Sequence, residues 1–221
     1  PAPLGIAADY AALADLFAAA HFTDATRLYA FVSDGLPELL VESFCGLETV
    51  CGQDAGAQWI VDVLSMQAGL PIRDWRFKQA ALGIRQADGS TAWRSGYIQT
   101  IQQMDADGGL ARYRLTLVPG IWLATQARRN RVFQNTPILQ VIEDVLAPYA
   151  PYVRFACDAG VDRALTDLPP RPMIVQYQES DHAFVTRLLA EEGLGWVTVE
   201  SMAADAAPDS SASDFAAPDF S

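Results

Sequence analysis

The sequence predicts a β-rich α+β protein, in which a small antiparallel barrel or sandwich is followed by an α+β segment with two amphipathic helices. Two observations lead to this prediction. Residues 80–118 alternate strand-like runs with tight-turn residues, and residues 136–193 contain two stretches whose apolar side chains recur at helical spacing. Since 51% of the 221 residues are hydrophobic and 19% are charged, the chain has enough apolar surface for a folded core.

The first predicted element is a short helix over residues 9–20, because strong helix formers place Leu13, Leu16 and Phe17 on one face. Residues 1–24 are therefore assigned to a leading helix and linker. Three strands are expected next, since short runs rich in Val, Ile, Leu and aromatic residues are separated by Gly, Pro and Asp. These strands cover residues 27–32, 38–44 and 58–66.

The strongest local pattern predicts a three-stranded antiparallel meander over residues 80–118. An Asp-Gly pair at 88–89 and an Asp-Gly-Gly run at 107–109 supply residues that adopt the positive φ of tight hairpin turns. After the second turn, apolar and polar side chains alternate, so one face of the strand is expected to be buried. The predicted inward residues of this strand are Tyr113, Leu115 and Leu117.

The two helices are predicted by their caps and their apolar stripes. In the first helix, Thr136 is expected to cap, Pro137 suits the first helical position, and Pro148 ends the helix. Its apolar stripe consists of Ile138, Val141, Ile142, Val145 and Leu146. The second helix begins at a Ser180 cap and stops at Gly193. Its apolar stripe consists of Phe184, Val185, Leu188 and Leu189.

Three further strands are predicted around these helices, over residues 152–156, 173–177 and 194–200. The resulting layout has the barrel at 25–120, the α+β segment at 121–200, and a flexible acidic Ala/Ser/Asp tail at 201–221, which has too little apolar surface to offset its ordering entropy. The predicted core consists of Leu115, Leu117, Trp122, Ile138, Val141, Ile142, Val145, Phe184, Leu188 and Leu189.

The charge balance argues against non-specific binding to nucleic acid or anionic lipid, because the formal net charge is −12 and such binding needs a positive surface. The one basic cluster contains Arg128, Arg129 and Arg131. On an acidic chain, these arginines are expected to pair with neighbouring acids or to contact another subunit. No apolar run reaches the roughly 18 residues of a membrane span.

No catalytic or metal site and no cofactor is predicted, because the sequence has only two histidines and lacks the GxSxG, GxxxxGK[ST], GxGxxG and HExxH motifs. Ser180, Asp181 and His182 are adjacent, whereas a catalytic triad is assembled in space. They are interpreted as the start of a capped helix, with Asp181 at the positive end of its dipole.

Neither the cysteines nor the paired acids indicate a metal site or a catalytic site. Cys45, Cys51 and Cys157 are interpreted as free thiols, since the spacing of the first two does not fit a zinc knuckle. The acidic pairs at 143–144 and 191–192 are interpreted as solvated faces of the two helices.

Two segments, residues 105–147 and 175–200, resemble the N-terminal region of the VgrG spike proteins of type VI secretion systems. The same region resembles the late-control gene D and baseplate-hub proteins of contractile phage tails, and residues 27–48 add a weaker third match. The resemblance implies architectural roles for the residues of its second motif. These residues are Tyr177, Glu179, Ser180, Asp181, Phe184, Val185, Arg187, Leu188, Leu189, Glu191, Glu192 and Gly193.

The resemblance implies a hub of tube-type antiparallel barrels joined by α+β elements, without enzyme activity. Its implied partners are further copies of itself in a trimer, the hexameric ring of an Hcp-like tube protein, and baseplate components. The implied function is that of a structural hub in the puncturing spike of an injection machine. Such a hub is assembled in the bacterial cytoplasm and secreted through the machine without a cleaved signal peptide.

Two alternatives stay open, a phage or prophage tail hub and, less favoured, an enzyme of unknown activity. The family continues beyond the second motif into a second barrel and a β-helix. The chain is therefore expected to be an N-terminal fragment or a truncated member that self-associates only weakly.

Overall fold

The structure is a computed structural model that describes residues 27–33, 35–49, 56–107 and 110–198. The predicted leading helix at 1–24 and the predicted tail at 201–221 lie outside the described residues, as do Cys51 and the Gly-Gly pair at 108–109. The chain forms two compact units. In the described residues, the first unit comprises the chain up to Gly46 and Trp59–Leu117, and the second comprises Leu47–Gln58 and the chain from Val118 onward.

Six strands of the first unit form one sheet in the order β1-β4-β5-β6-β3-β2. The strands are β1 (Tyr29–Ser33), β2 (Leu40–Leu47), β3 (Gln58–Ser65), β4 (Gln79–Arg85), β5 (Thr91–Asp107) and β6 (Leu110–Val118). β4 pairs antiparallel with β1 and with β5, and β3 pairs antiparallel with β6. A single antiparallel bridge joins Phe31 of β1 to Leu39, the residue before β2. The sheet is a curled antiparallel half-barrel with β1 and β2 at its edges, and this bridge links β1 to the residue before β2. The predicted β-rich antiparallel fold is thus confirmed.

The core of the first unit follows from the alternation of β6 and its partner β3. Tyr113 and Leu115 of β6 lie opposite Val63 and Val61 of β3, and all four side chains are fully buried. The predicted inward face of β6, which also includes Leu117, is thus confirmed.

The second unit consists of a two-stranded ribbon covered on one face by helices. Its elements are α1 (Leu123–Gln126), β7 (Arg128–Thr136), α2 (Ile138–Leu146), α3 (Ala159–Thr166), β8 (Arg171–Ser180) and α4 (Asp181–Glu191). β7 and β8 pair antiparallel. Both predicted helices are present, and their apolar stripes pack with Phe133 and Ile174 on the inner face of the ribbon. None of the helices in the described part of the chain has the length and apolar character needed to cross a membrane.

One predicted core residue is wrong, because Trp122 is only half-buried. It belongs to a short 3-10 helix, Gly120–Trp122, in which Gly120 and Ile121 are the buried residues. A Cβ atom on Gly120 would lie 2.0 Å from the carbonyl oxygen of Tyr152, so this close approach requires glycine. The turn faces the core with Ile121 instead of Trp122.

The predicted strands at 152–156 and 194–200 are also wrong over the described residues. The backbone N–H groups of Tyr152 and Val153 both donate to the carbonyl of Tyr149, so the chain continues in a turn there. Val153, Phe155, Leu194 and Trp196 pack against the core without a neighbouring strand. Their alternation therefore reflects packing rather than strand pairing.

Of the two predicted helix N-caps, one is present in the structure and the other is not. Ser180 caps α4 as predicted, since its Oγ accepts a hydrogen bond of 3.1 Å from the N–H of Ala183. Gly193, with a φ of +73°, follows the end of α4. The predicted Thr136 cap is wrong, because Thr136 is the last residue of β7 and Pro137 precedes α2 without a side-chain cap.

Candidate structural and assembly site

The second motif occupies the connection between β8 and α4, where the strand passes directly into the helix. Tyr177 and Glu179 lie on β8, Ser180 is its last residue, and Asp181 is the first residue of α4. The apolar motif residues on α4 are buried against the helices and the ribbon, as the sequence predicts; they are Phe184, Val185, Leu188 and Leu189.

The carboxylate of Asp181 is completely buried, with 0% of the residue exposed. The hydroxyl of Tyr149 donates to its Oδ2 over 2.8 Å, and Nε2 of Gln176 donates to its Oδ1 over 2.8 Å. Nε of Arg129 lies 3.2 Å from Oδ2, and Nη2 of Arg131 lies 3.5 Å from the same atom. One carboxylate therefore links α4 to both strands of the ribbon and to the turn after α2.

This arrangement satisfies the conditions under which a buried charge is tolerated, namely ion pairing and hydrogen bonding. The first turn of a helix also favours a negative charge. The pKa of Tyr149 is raised, chiefly by burial of its hydroxyl and further by its hydrogen bond to Asp181. Gln176 is likewise fully buried, and its Nε2 also donates to the carbonyl of Glu179 over 3.2 Å.

A second group of charges links the two ends of β8 to the last turns of α4. Arg187 contacts Glu179 through Nη2 and Glu191 through Nη1, at 2.7 Å in both cases. Arg171 contacts Glu191 at 2.5 Å and also pairs with Glu192. Glu191 is exposed and Glu192 is half-buried, and both carboxylates pair with arginines on this face of the helix.

The Glu191 pair gives a testable pH dependence. The hydrogen bond from Arg171 is the main reason that the pKa of Glu191 is below its usual value, and Arg187 lowers it further. A carboxyl whose pKa is lower in the folded state stabilises the fold above its unfolded pKa, and this contribution is lost as the pH falls through the folded pKa. Glu191→Gln is expected to lower the thermal unfolding midpoint at pH 7. As the pH falls below about 4, the midpoint of this variant is expected to decrease less than the midpoint of the native chain.

The matched control for this experiment is Glu143→Gln, which changes an exposed acid on α2. Thermal unfolding followed by circular dichroism between pH 3 and pH 7 makes the comparison. Parallel pH curves for Glu191→Gln and the native chain would contradict the stabilising role of this pair.

The remaining candidate residues lie apart from these two groups. In the predicted basic cluster, Arg128 and Arg129 are exposed and Arg131 is half-buried, and Arg129 and Arg131 pair with Asp181. The ring of His182 lies edge-on to Trp196 at 5.2 Å, and Asp181 is engaged by other residues. Cys45 is exposed and Cys157 half-buried, both as free thiols. Within the described ranges, no group of three or more His, Cys, Asp or Glu residues could hold a metal ion.

Sequence reasoning found the motif but not the burial of Asp181. A usable signal exists in β7, because Arg129 and Arg131 are two residues apart and therefore share a face of the strand. Two arginines on the side of the strand that packs against helices indicate a nearby acid with which they pair. Without the strand assignment, that acid could not be inferred.

A curled antiparallel sheet followed by an α/β unit is the fold of solved proteins from tail-like machines. The E. coli c3393 protein, a component of the type VI secretion system with structural similarity to the T4 bacteriophage tail proteins gp27 and gp5, matches with a TM-score of 0.58 and 20% identity. The match covers 73% of this chain and 42% of that one. A tail protein from Neisseria meningitidis matches with a TM-score of 0.54 and 12% identity, over 77% and 47% of the two chains.

These matches show that the chain has a fold found in tail proteins. The chain belongs to the phage tail baseplate hub (GPD) family, whose model matches residues 57–206.

Curated relatives agree with this family. The type VI secretion system spike protein VgrG4b of Pseudomonas aeruginosa is 34% identical over 73% of this chain, and VgrG1b of the same organism is 28% identical over 61%. The actin cross-linking toxin VgrG1 of Vibrio cholerae is 28% identical over 77% of this chain. The chain spans 19%, 17% and 16% of the lengths of these three relatives.

Proposed function

We propose that this chain is a structural hub component of the puncturing spike of a contractile injection machine of the type VI secretion class. The observation that carries the proposal is how the motif uses its charges. Its ionised side chains tie α4 to β7 through Asp181, and they tie α4 to β8 through Glu179, Arg187, Glu191 and Glu192. A motif whose charges pair within the fold supports an architectural role, and the relatives at 28–34% identity are spike proteins.

The same reasoning supports a role without catalysis, cofactor or nucleic-acid binding. The candidate triad residues are engaged in capping, ion pairing and packing. The similarity to the actin cross-linking toxin covers 16% of that protein, so the activity in its name is not carried over to this chain.

The proposed partners are those of a hub. They are further copies of the chain in a trimer, a hexameric ring of an Hcp-like tube protein, and baseplate components. Assembly takes place in the bacterial cytoplasm, and export occurs through the machine itself. Within this proposal the layout of a barrel at 25–120 and a hub segment at 121–200 stays a prediction, as does a subunit contact at Arg128, Arg129 and Arg131.

The second candidate is a hub of a phage or prophage tail. It is supported by the baseplate-hub family model and by the similarity in fold to the Neisseria meningitidis tail protein. In this case the same architecture would join a tail tube to a phage baseplate.

The test is made in a bacterium that carries the gene in its own genome. Deletion of the gene is expected to abolish release of the tube protein into the medium, measured by immunoblotting. The unaltered gene and the control Asp105→Ala, which removes an exposed aspartate of β5, are expected to restore release, whereas Asp181→Ala is not.

The two candidates give opposite results in this experiment. Loss of phage tail particles with unchanged release of the tube protein would favour the phage hub. Unchanged release of both would contradict both candidates.

A further inference from the structure

The outer face of the β7–β8 ribbon carries a continuous apolar stripe. Val132 of β7 is 59% exposed, and it lies opposite Val175 of β8, which is 38% exposed. Met173 and Tyr177, two residues to either side of Val175, are 63% and 69% exposed. These four side chains are called the outer ribbon face. They point away from the core, because the alternate residues Ile174 and Gln176 are buried.

The outer ribbon face has no acidic neighbour on its own side of β7. Arg129 and Arg131 reach the buried carboxylate of Asp181, so the alternate positions belong to the outer side. Those exposed positions are Arg128, Asn130 and Gln134. In a chain with a net charge of −12, the outer side of β7 thus places a single positive charge, Arg128, beside the apolar stripe. It fits a partner surface that is apolar and acidic.

A surface of that kind lies on the helix side of the same unit. The inner stripe of α2 packs on the ribbon, so the exposed Glu143 and Asp144 face the other way. Asp162 of α3 is exposed as well, and α3 packs against α2. The half-buried apolar side chains of Leu139 and Val161 belong to the same two helices. Glu143, Asp144, Asp162, Leu139 and Val161 are called the acidic helix face.

We propose that the outer ribbon face binds the acidic helix face of a second copy of this chain. The two surfaces are complementary in charge, with Arg128 on one and Glu143, Asp144 and Asp162 on the other. They also lie on opposite sides of a two-layer unit, so neither can be satisfied by the other within one molecule. Contacts between two different patches are head-to-tail, and they generate rings where the rotation closes. The inference rests on the proposed hub function and names a subunit contact for it.

The size of the stripe determines the strength of the contact. Four partly exposed side chains amount to much less than the roughly 800 Å² that each partner buries in a stable interface. The contact is therefore weak in isolation and depends on concentration. It becomes effective where several contacts close a ring, because closure makes the last contact intramolecular.

Sedimentation velocity over a range of protein concentrations tests the contact. Tyr177→Asp places a negative charge on the outer ribbon face, and it is expected to weaken self-association at least tenfold. The matched control Met66→Asp makes the same kind of change at an exposed apolar residue of the first unit, and it is expected to associate like the native chain. Equal association of both variants and the native chain would overturn the proposal.

Mixed disulfide cross-linking identifies the two surfaces. In a chain whose three native cysteines are replaced by serine, one preparation carries Tyr177→Cys and the other carries Glu143→Cys. A cross-linked dimer is expected only after the two preparations are mixed and oxidised. A dimer from Tyr177→Cys alone would mean that two ribbon faces meet each other, which overturns the head-to-tail contact.

A third result shows whether the outer ribbon face is contacted by a second copy or by another part of the same chain. If another part of the same chain covered the outer ribbon face, Tyr177→Asp would lower the unfolding midpoint at concentrations where the chain is a monomer, and the proposal would fail. All three readouts use the purified chain and none uses secretion. Failure of this contact is therefore distinguishable from failure of the proposed function.

Discussion

Replacement of Asp181 by alanine is expected to lower the free energy of unfolding by about 3–5 kcal/mol. The substitution removes the acceptor of Tyr149 and Gln176 and the counter-charge of Arg129 and Arg131. Tyr149 and Gln176 are buried, so their donors would lose a buried acceptor, which is more costly than the mere loss of a contact. Arg129 and Arg131 are partly exposed and would lose their counter-charge. Urea denaturation followed by far-ultraviolet circular dichroism measures the effect.

Two further variants isolate the cause. Asp162→Ala removes an exposed aspartate from α3 and is expected to change stability by no more than about 0.5 kcal/mol. Asp181→Asn keeps an oxygen acceptor but removes the charge, so its loss is expected to fall between the two. If Asp181→Ala were as mild as Asp162→Ala, Asp181 could not be the centre of this unit.

Phe184→Ala is the second substitution with a large expected effect, a loss of about 3–5 kcal/mol. The ring of Phe184 is fully buried and stacks on Phe133, with 6.1 Å between the centroids and 13° between the planes. The guanidinium carbon of Arg187 lies 5.3 Å from the same ring. Truncation therefore leaves a cavity between α4 and β7 and removes the surface on which Arg187 rests.

Tyr177→Ala is the matched control, because it removes an aromatic ring from an exposed position of β8. It is expected to be nearly neutral in the same denaturation experiment at low protein concentration. Phe184→Leu, which refills part of the cavity, is expected to recover part of the loss. A Phe184→Ala chain with a native urea midpoint would mean that α4 packs through another face.

The sequence was sufficient wherever local chemistry alone determines the structure. The alternation in β6, the Ser180 cap and the two apolar stripes all depend on residues close together in the chain. β7 escaped notice because Arg128–Thr136 contains only two apolar residues, Val132 and Phe133. Its strand conformation depends on pairing with β8, which lies about 45 residues further on.

In the candidate site too, only the features that depend on neighbouring residues could be predicted from the sequence. The sequence identified the motif residues but gave no indication that Asp181 is buried, because its partners Tyr149, Arg129 and Arg131 are 32 to 52 residues away. α3 was missed for a related reason. It has one buried residue, Leu165, and its start is marked mainly by the Asp158 cap, which accepts from the N–H of Gly160.

The bond between Gln176 and Asp181 also restricts how the length of this segment can change. These residues are five positions apart, and the bond joins a strand to the helix that immediately follows it. Because consecutive helical residues are rotated by about 100°, one residue inserted into α4 before Arg187 would turn the rest of the helix by that angle. Phe184 or Arg187 would then lose its contact with β7 or β8, whereas Asp181 would keep its hydrogen bonds and ion pairs. This stretch therefore tolerates neither the gain nor the loss of a residue.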